Sequence, residues 1–141
     1  MRRGAQVSYT DPFTPYLALF LRVWVGVNYM LHGYPKLSGQ GRQQAAQWMK
    51  SMGLPAGAAY TAAILEFFGG LFLIIGLIVP IVALFFAIEM IATALLKKTK
   101  MKATYIMGQN TYELDVTYFL LTIVLIVLGA GAFSIDQLVG L

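Results

Sequence analysis

The chain has 141 residues, 59% of them hydrophobic and 11% charged, with a formal net charge of +4 and a mean hydropathy of +0.73. Soluble domains carry about 25% charged residues, so the composition points to a small integral membrane protein. With no cysteine and one histidine, the chain can form no disulfide, thiolate-ligated iron–sulfur cluster, covalent haem attachment or two-histidine haem site of its own. Its basic residues fall between apolar runs instead of along one stripe. That pattern argues against nucleic acid and for topology determinants that meet lipid headgroups.

Residues 1–12 form a short polar arm, with Asp11-Pro12 as a helix entry. The opening MRRGAQVSYTDPF resembles a signal-peptide n-region. The apolar stretch after it is too long, contains Arg22 and shows no small-residue cleavage site, so it is expected to be retained. Nor does Arg2-Arg3 continue as a twin-arginine signal. The first span is predicted over about 14–33, where Arg22, Gly26, Tyr29 and Gly33 share one helical face. The two glycines would let a neighbouring helix approach that face closely.

The connection over 34–56 contains Ala45, Trp48, Met49 and Met52 at helical spacing. This predicts a short helix over about 42–52, either lying in the membrane interface with Trp48 as anchor or packed on the bundle as an ordinary loop helix. The second span, about 57–79, places Ala59, Ala62, Ala63, Glu66, Gly69, Gly70 and Leu73 on one side, a small-residue seam with a carboxyl in its middle. After Pro80 the third span, about 81–96, carries Glu89 near its middle and ends in Lys97, Lys98, Lys100 and Lys102. Gly108-Gln109-Asn110 signals a turn. A fourth span, about 113–131, begins with Glu113 and Asp115, acids that suit the positive end of a helix. The expected architecture is therefore all-α: one transmembrane domain over 1–141, a four-helix membrane bundle with a short interfacial helix in its first loop.

Charge counting orients it. The side holding the two long loops has Lys36, Arg42, Lys50, Lys97, Lys98, Lys100 and Lys102, against Arg2 and Arg3 on the other. The positive-inside rule places the basic loops in the cytoplasm and both termini outside a multi-pass cell-membrane protein.

Arg22, Glu66 and Glu89 are the candidate catalytic residues. At ~1.5 Å per residue each lies about 12–13 Å from the nearer face of a ~30 Å slab, where an unpaired guanidinium costs a few kcal/mol or more. One arginine can neutralise one of the two carboxylates, and which one is left open. The other then has no countercharge and becomes a proton-relay candidate. The plainer reading is that Arg22 and one glutamate only pin helix register. His32, Lys36, Glu113 and Asp115, with Tyr105 at the same level, could line a polar mouth for a quinone headgroup or an anion; a merely solvated rim is the alternative. No phosphate loop, zinc spacing or nucleophile elbow is present, and no metal or haem site is expected.

Several segments resemble the DoxX family of four-span membrane proteins. Arg22 with His32-Gly33 and Lys36-Leu37 resembles the family's first helix and its exit, and Gly53-Leu54-Pro55 the end of its first loop. Glu66-Phe67-Phe68-Gly69-Gly70, with Gly76 beyond, resembles its second helix. Gly129-Ala130-Gly131 followed by Ser134-Ile135-Asp136 is similar to its closing signature. The resemblance implies a membrane bundle attached to respiratory or redox complexes. Related DoxD proteins form the membrane subunit of an archaeal thiosulfate:quinone oxidoreductase, beside a second small subunit. It implies no individual catalytic residue. The expected partners are thus the lipid bilayer and other subunits of a membrane complex or further copies of the chain. The expected cofactor is a quinone, with electrons from it or from a partner. A non-enzymatic scaffold or assembly subunit is the alternative, and a small proton or anion transporter a third.

Overall fold

A computed structural model describes residues 12–108 and 110–141. Arg2, Arg3 and Asp11, and with Gln109 the centre of the expected turn, lie outside them. The described residues form six α-helices: α1 (Thr14–Gly33), α2 (Gly39–Ser51), α3 (Ala56–Ile75), α4 (Val79–Lys100), α5 (Glu113–Leu128) and α6 (Ile135–Val139), with a 3-10 turn at Tyr34–Leu37. No strand occurs among them, and a single bridge between Thr104 and Thr111 ties the α4–α5 connection.

Helix ends follow local chemistry more closely than apolar runs do. The second apolar run continues to Val79, but α3 stops at Ile75. Gly76 there adopts φ +72°, a left-handed conformation open to a residue without Cβ. Leu77 N–H reaches back to the Phe72 carbonyl at 2.9 Å, closing the last turn. Ile78 is also left-handed, at φ 45°, which a β-branched residue adopts only under constraint. The constraint is Asp136, whose carboxylate accepts the N–H groups of Ile78 at 2.6 Å and Val79 at 2.9 Å. It caps the start of α4, where Pro80 fits because the first turn needs no donor. At its far end α4 runs on through the lysines to Lys100 rather than stopping at residue 96.

The short tail after the fourth apolar run contains α6. Ser134 caps it by accepting Gln137 N–H at 3.2 Å. The fourth apolar run is cut at Leu128 by Gly129, φ 69°.

Helix α1 packs on α3 and α4 on α5. The α1–α3 seam is the glycine-rich one anticipated: a Cβ on Gly26 would meet the Gly70 carbonyl, and one on Gly70 the Gly26 carbonyl. A Cβ on Gly33 would meet the backbone of Ala63 and Phe67. The shared core is built from Val25, Tyr29, Leu73, Val82, Phe86 and Leu125. Tyr29 stacks face to face on Phe86, ring centroids 3.6 Å apart. Outside, α1, α3, α4 and α5 expose large apolar residues such as Phe20, Trp24, Phe68, Phe85 and Val127. Helices apolar on the outside as well as the inside suit lipid rather than water. Helices α3 and α4 are long and apolar enough to cross a bilayer, with mean hydropathies of 1.9 and 2.3.

Candidate functional site

The two ends of the molecule do different things. At one end the starts of α1 and α4, the end of α3 and the turn before α6 converge on Arg22. Its guanidinium is fully buried, but neither glutamate holds it. Nη1 donates to the carbonyls of Leu73, at 3.0 Å, and Ile74; Nη2 donates to those of Ala132 at 3.0 Å and Phe133 at 2.7 Å. The expected Arg22–glutamate centre is therefore overturned. A left-handed glycine ends α3 beside Arg22 and leaves terminal carbonyls that suit a cation, since a helix C-terminus carries partial negative charge. Asp136, from the closing motif, supplies the compensating field and caps α4. This end is a structural clamp that joins α1, α3, α4 and α6.

At the other end lies a cavity of about 620 Å³. Its walls are the end of α1 and the 3-10 turn, the first half of α3, the second half of α4, the first turns of α5 and one side of α2. Lys36, presented by the 3-10 turn, reaches both carboxylate oxygens of Glu66 at 2.7 Å. Glu89 of α4 sits within hydrogen-bonding reach of Glu66. Across the cavity Lys97 pairs with Asp115 at 2.7 Å. Tyr29, Tyr118, Thr93 and Asn110 also line it, with Trp48, Met49 and Met90 as apolar wall.

Of the residues singled out from sequence, Glu66, Glu89, His32, Lys36 and Asp115 thus meet around one cavity, His32 at an exposed position. Arg22 is at the opposite end of the molecule. Glu113 is exposed and does not line the cavity, because at about 100° per residue it lies on nearly the opposite side of α5 from Asp115. Helix α2 presents Ala45, Trp48 and Met49 to the cavity and packs on α3, which is the packed-loop alternative. Arg42 lies 4.6 Å from the centre of the Tyr60 ring.

Three titratable lining residues escaped the sequence reading. Lys97 was counted with the basic stop of the third span, Tyr29 with the arginine face, and Tyr118 was given no site role. Only for the last was a signal available, in its i, i+3 spacing from Asp115. Tyr29 is 4% exposed, and its hydroxyl has no hydrogen-bond partner among the described residues.

An all-helical chain with an apolar exterior and an internal cavity walled by charged pairs defines a membrane-type helical protein. The DoxX family model matches residues 17–99, more than half of the chain, and the chain belongs to that membrane-associated family. The match covers Lys36, Glu66, Glu89 and Lys97 and stops short of Asp115 and Asp136. The chain is also 34% identical over 121 residues to a Bacillus subtilis (strain 168) protein described as "Putative oxidoreductase CatD", a span of 86% of this chain and 85% of that protein. No solved structure matches.

Proposed function

We propose that this DoxX protein is a four-span membrane subunit of a redox complex, a single transmembrane domain with its termini outside and its cavity end toward the cytoplasm. In this reading α1, α3, α4 and α5 are the spans, and the cavity binds a quinone headgroup. The observation that carries it is the cavity itself: a volume in the range of small-molecule sites, lined by apolar side chains together with a few polar and charged groups. The described relative's name, an oxidoreductase, points the same way.

Reduction of a quinone to a hydroquinone takes two electrons and two protons. A reduced partner subunit supplies the electrons. The chain's own residues bind and handle protons: Glu66 and Glu89 face each other with one lysine between two carboxyls. A proton on that pair balances the charge and is available for transfer to a bound ring oxygen. His32 at the rim connects the site to the aqueous side.

The test is quinone reduction by the complex purified in mild detergent. Glu66→Gln and His32→Ala variants that still assemble should each lower the turnover at least tenfold. Unchanged turnover in both removes the site. A scaffold role is the second reading, favoured by the Arg22 clamp, whose hydrogen bonds serve packing alone; it expects Glu66→Gln to lower the yield of complex but not activity per assembled complex.

A further inference from the structure

The buried hydroxyl of Tyr29 is the most informative unexplained group in the molecule. The ring is fixed: it stacks on Phe86 at 3.6 Å with 4° between the planes and meets Tyr118 edge-on at 5.7 Å. The residue lines the cavity, and its buried hydroxyl feels the charges of Glu89 and Glu66 and has no partner among the described residues. A buried hydroxyl without a partner is costly to keep, and phenylalanine would give the same stacking without that cost. The oxygen therefore has a use outside the apoprotein's own contacts.

The second observation is charge. Lys36 is matched by Glu66 and Lys97 by Asp115, which leaves Glu89 as the surplus acid in the cavity. Once paired, neither lysine is available to an incoming anion, and Glu89, sharing a proton with Glu66, offers it no positive charge either. Trp48, Met49 and Met90 supply apolar lining.

We propose that Tyr29 is the ligand-anchoring residue of the cavity, its hydroxyl hydrogen-bonding the oxygen of a neutral, planar ring, in a cavity whose two lysines are both paired and leave no countercharge for an anion. This rests on the quinone reading and narrows it to an uncharged headgroup gripped at one oxygen.

The experiment uses Trp48, which lines the cavity, as reporter of binding. Trp24, exposed on the outer face of α1, is replaced by phenylalanine so that only Trp48 fluoresces. Full-length protein in detergent is titrated with menadione, an uncharged naphthoquinone, and with 1,4-naphthoquinone-2-sulfonate, a similar ring bearing one negative charge. Saturable quenching by menadione and at least tenfold weaker binding of the sulfonate are expected. Tyr29→Phe should weaken menadione about tenfold, the loss of one hydrogen bond, and leave the thermal midpoint unchanged or higher. Glu66→Gln, which releases Lys36 from its carboxylate, should narrow the gap between the two ligands. Equal menadione binding by wild type and Tyr29→Phe overturns the anchor, and tighter binding of the sulfonate by the wild type overturns the preference for an uncharged ring. Absence of saturable quenching in the wild type overturns the quinone reading as well, which separates the two failures. Should Tyr29→Phe fail to fold, the Glu66→Gln comparison still decides the preference for an uncharged ring and Tyr118→Phe, edge-on to the same ring, serves as the matched control.

Discussion

Arg22 and Tyr29 stand two helical turns apart on one face of α1 and illustrate opposite uses of a buried polar group. The arginine spends four hydrogen bonds on backbone carbonyls of α3 and the α6 turn; the tyrosine hydroxyl spends none. Removing the first should be expensive. Arg22→Leu strands terminal carbonyls in an apolar setting and is expected to lower stability by about 3 kcal/mol or more, measured by unfolding in detergent. The same variant should bind menadione normally per folded molecule, because the cavity is at the other end. Weakened binding at full stability would mean that the two ends are coupled.

Among the elements, the α1–α3 seam and the α4 start are the places where a single change matters most. Gly26→Ala or Gly70→Ala puts a methyl group 2.5 Å from a facing carbonyl oxygen and is expected to cost about 1–3 kcal/mol as the helices move apart. Gly57 is the control on the same helix. Nothing lies within 4 Å of where its Cβ would be, so Gly57→Ala should be neutral or stabilising by up to about 1 kcal/mol. Equal effects at the three glycines would show that the seam is not tightly packed. At the start of α4, Asp136→Ala removes the cap from two backbone donors. It should cost about 1–2 kcal/mol and relax the left-handed Ile78, seen as faster amide exchange at residues 78–79.

For the molecule as a whole, the proposed orientation can be read from single cysteines, since the chain has none of its own. Gln47 on α2 and Gln137 on α6 are both exposed, at the cavity end and the clamp end respectively. A membrane-impermeant maleimide added outside intact cells should label Gln137→Cys and not Gln47→Cys, the latter reacting only after permeabilisation. The reverse pattern inverts the orientation, and labelling of both from outside rules out the three crossings that the proposal places between the inner loop and the tail. The division of labour between the ends has a physical basis. Short turns and opposed helix termini at the clamp end offer a cation and an anion ready backbone partners. The long loops at the other end leave room for side chains to face one another across a cavity.

Much of this was legible in the residues alone. Apolar runs of helix length exposed the membrane character, and α1 was delimited at its observed bounds by Pro15 and Gly33. The glycine and alanine spacing located the α1–α3 seam, because close helix approach needs small residues at fixed helical intervals. Depth in a slab brought Glu66 and Glu89 to neighbouring levels, but depth is one coordinate. Which way Arg22 points depends on helix rotation and on where α3 ends, and both were decided by tertiary structure: a left-handed Gly76 offers carbonyls nearer than either glutamate. Likewise the pairing of Lys36 with Glu66 and of Lys97 with Asp115 joins residues 30 and 18 apart in sequence. No local pattern specifies such pairs. Only the packed helices bring them within a hydrogen bond's length, where charge must find its partner.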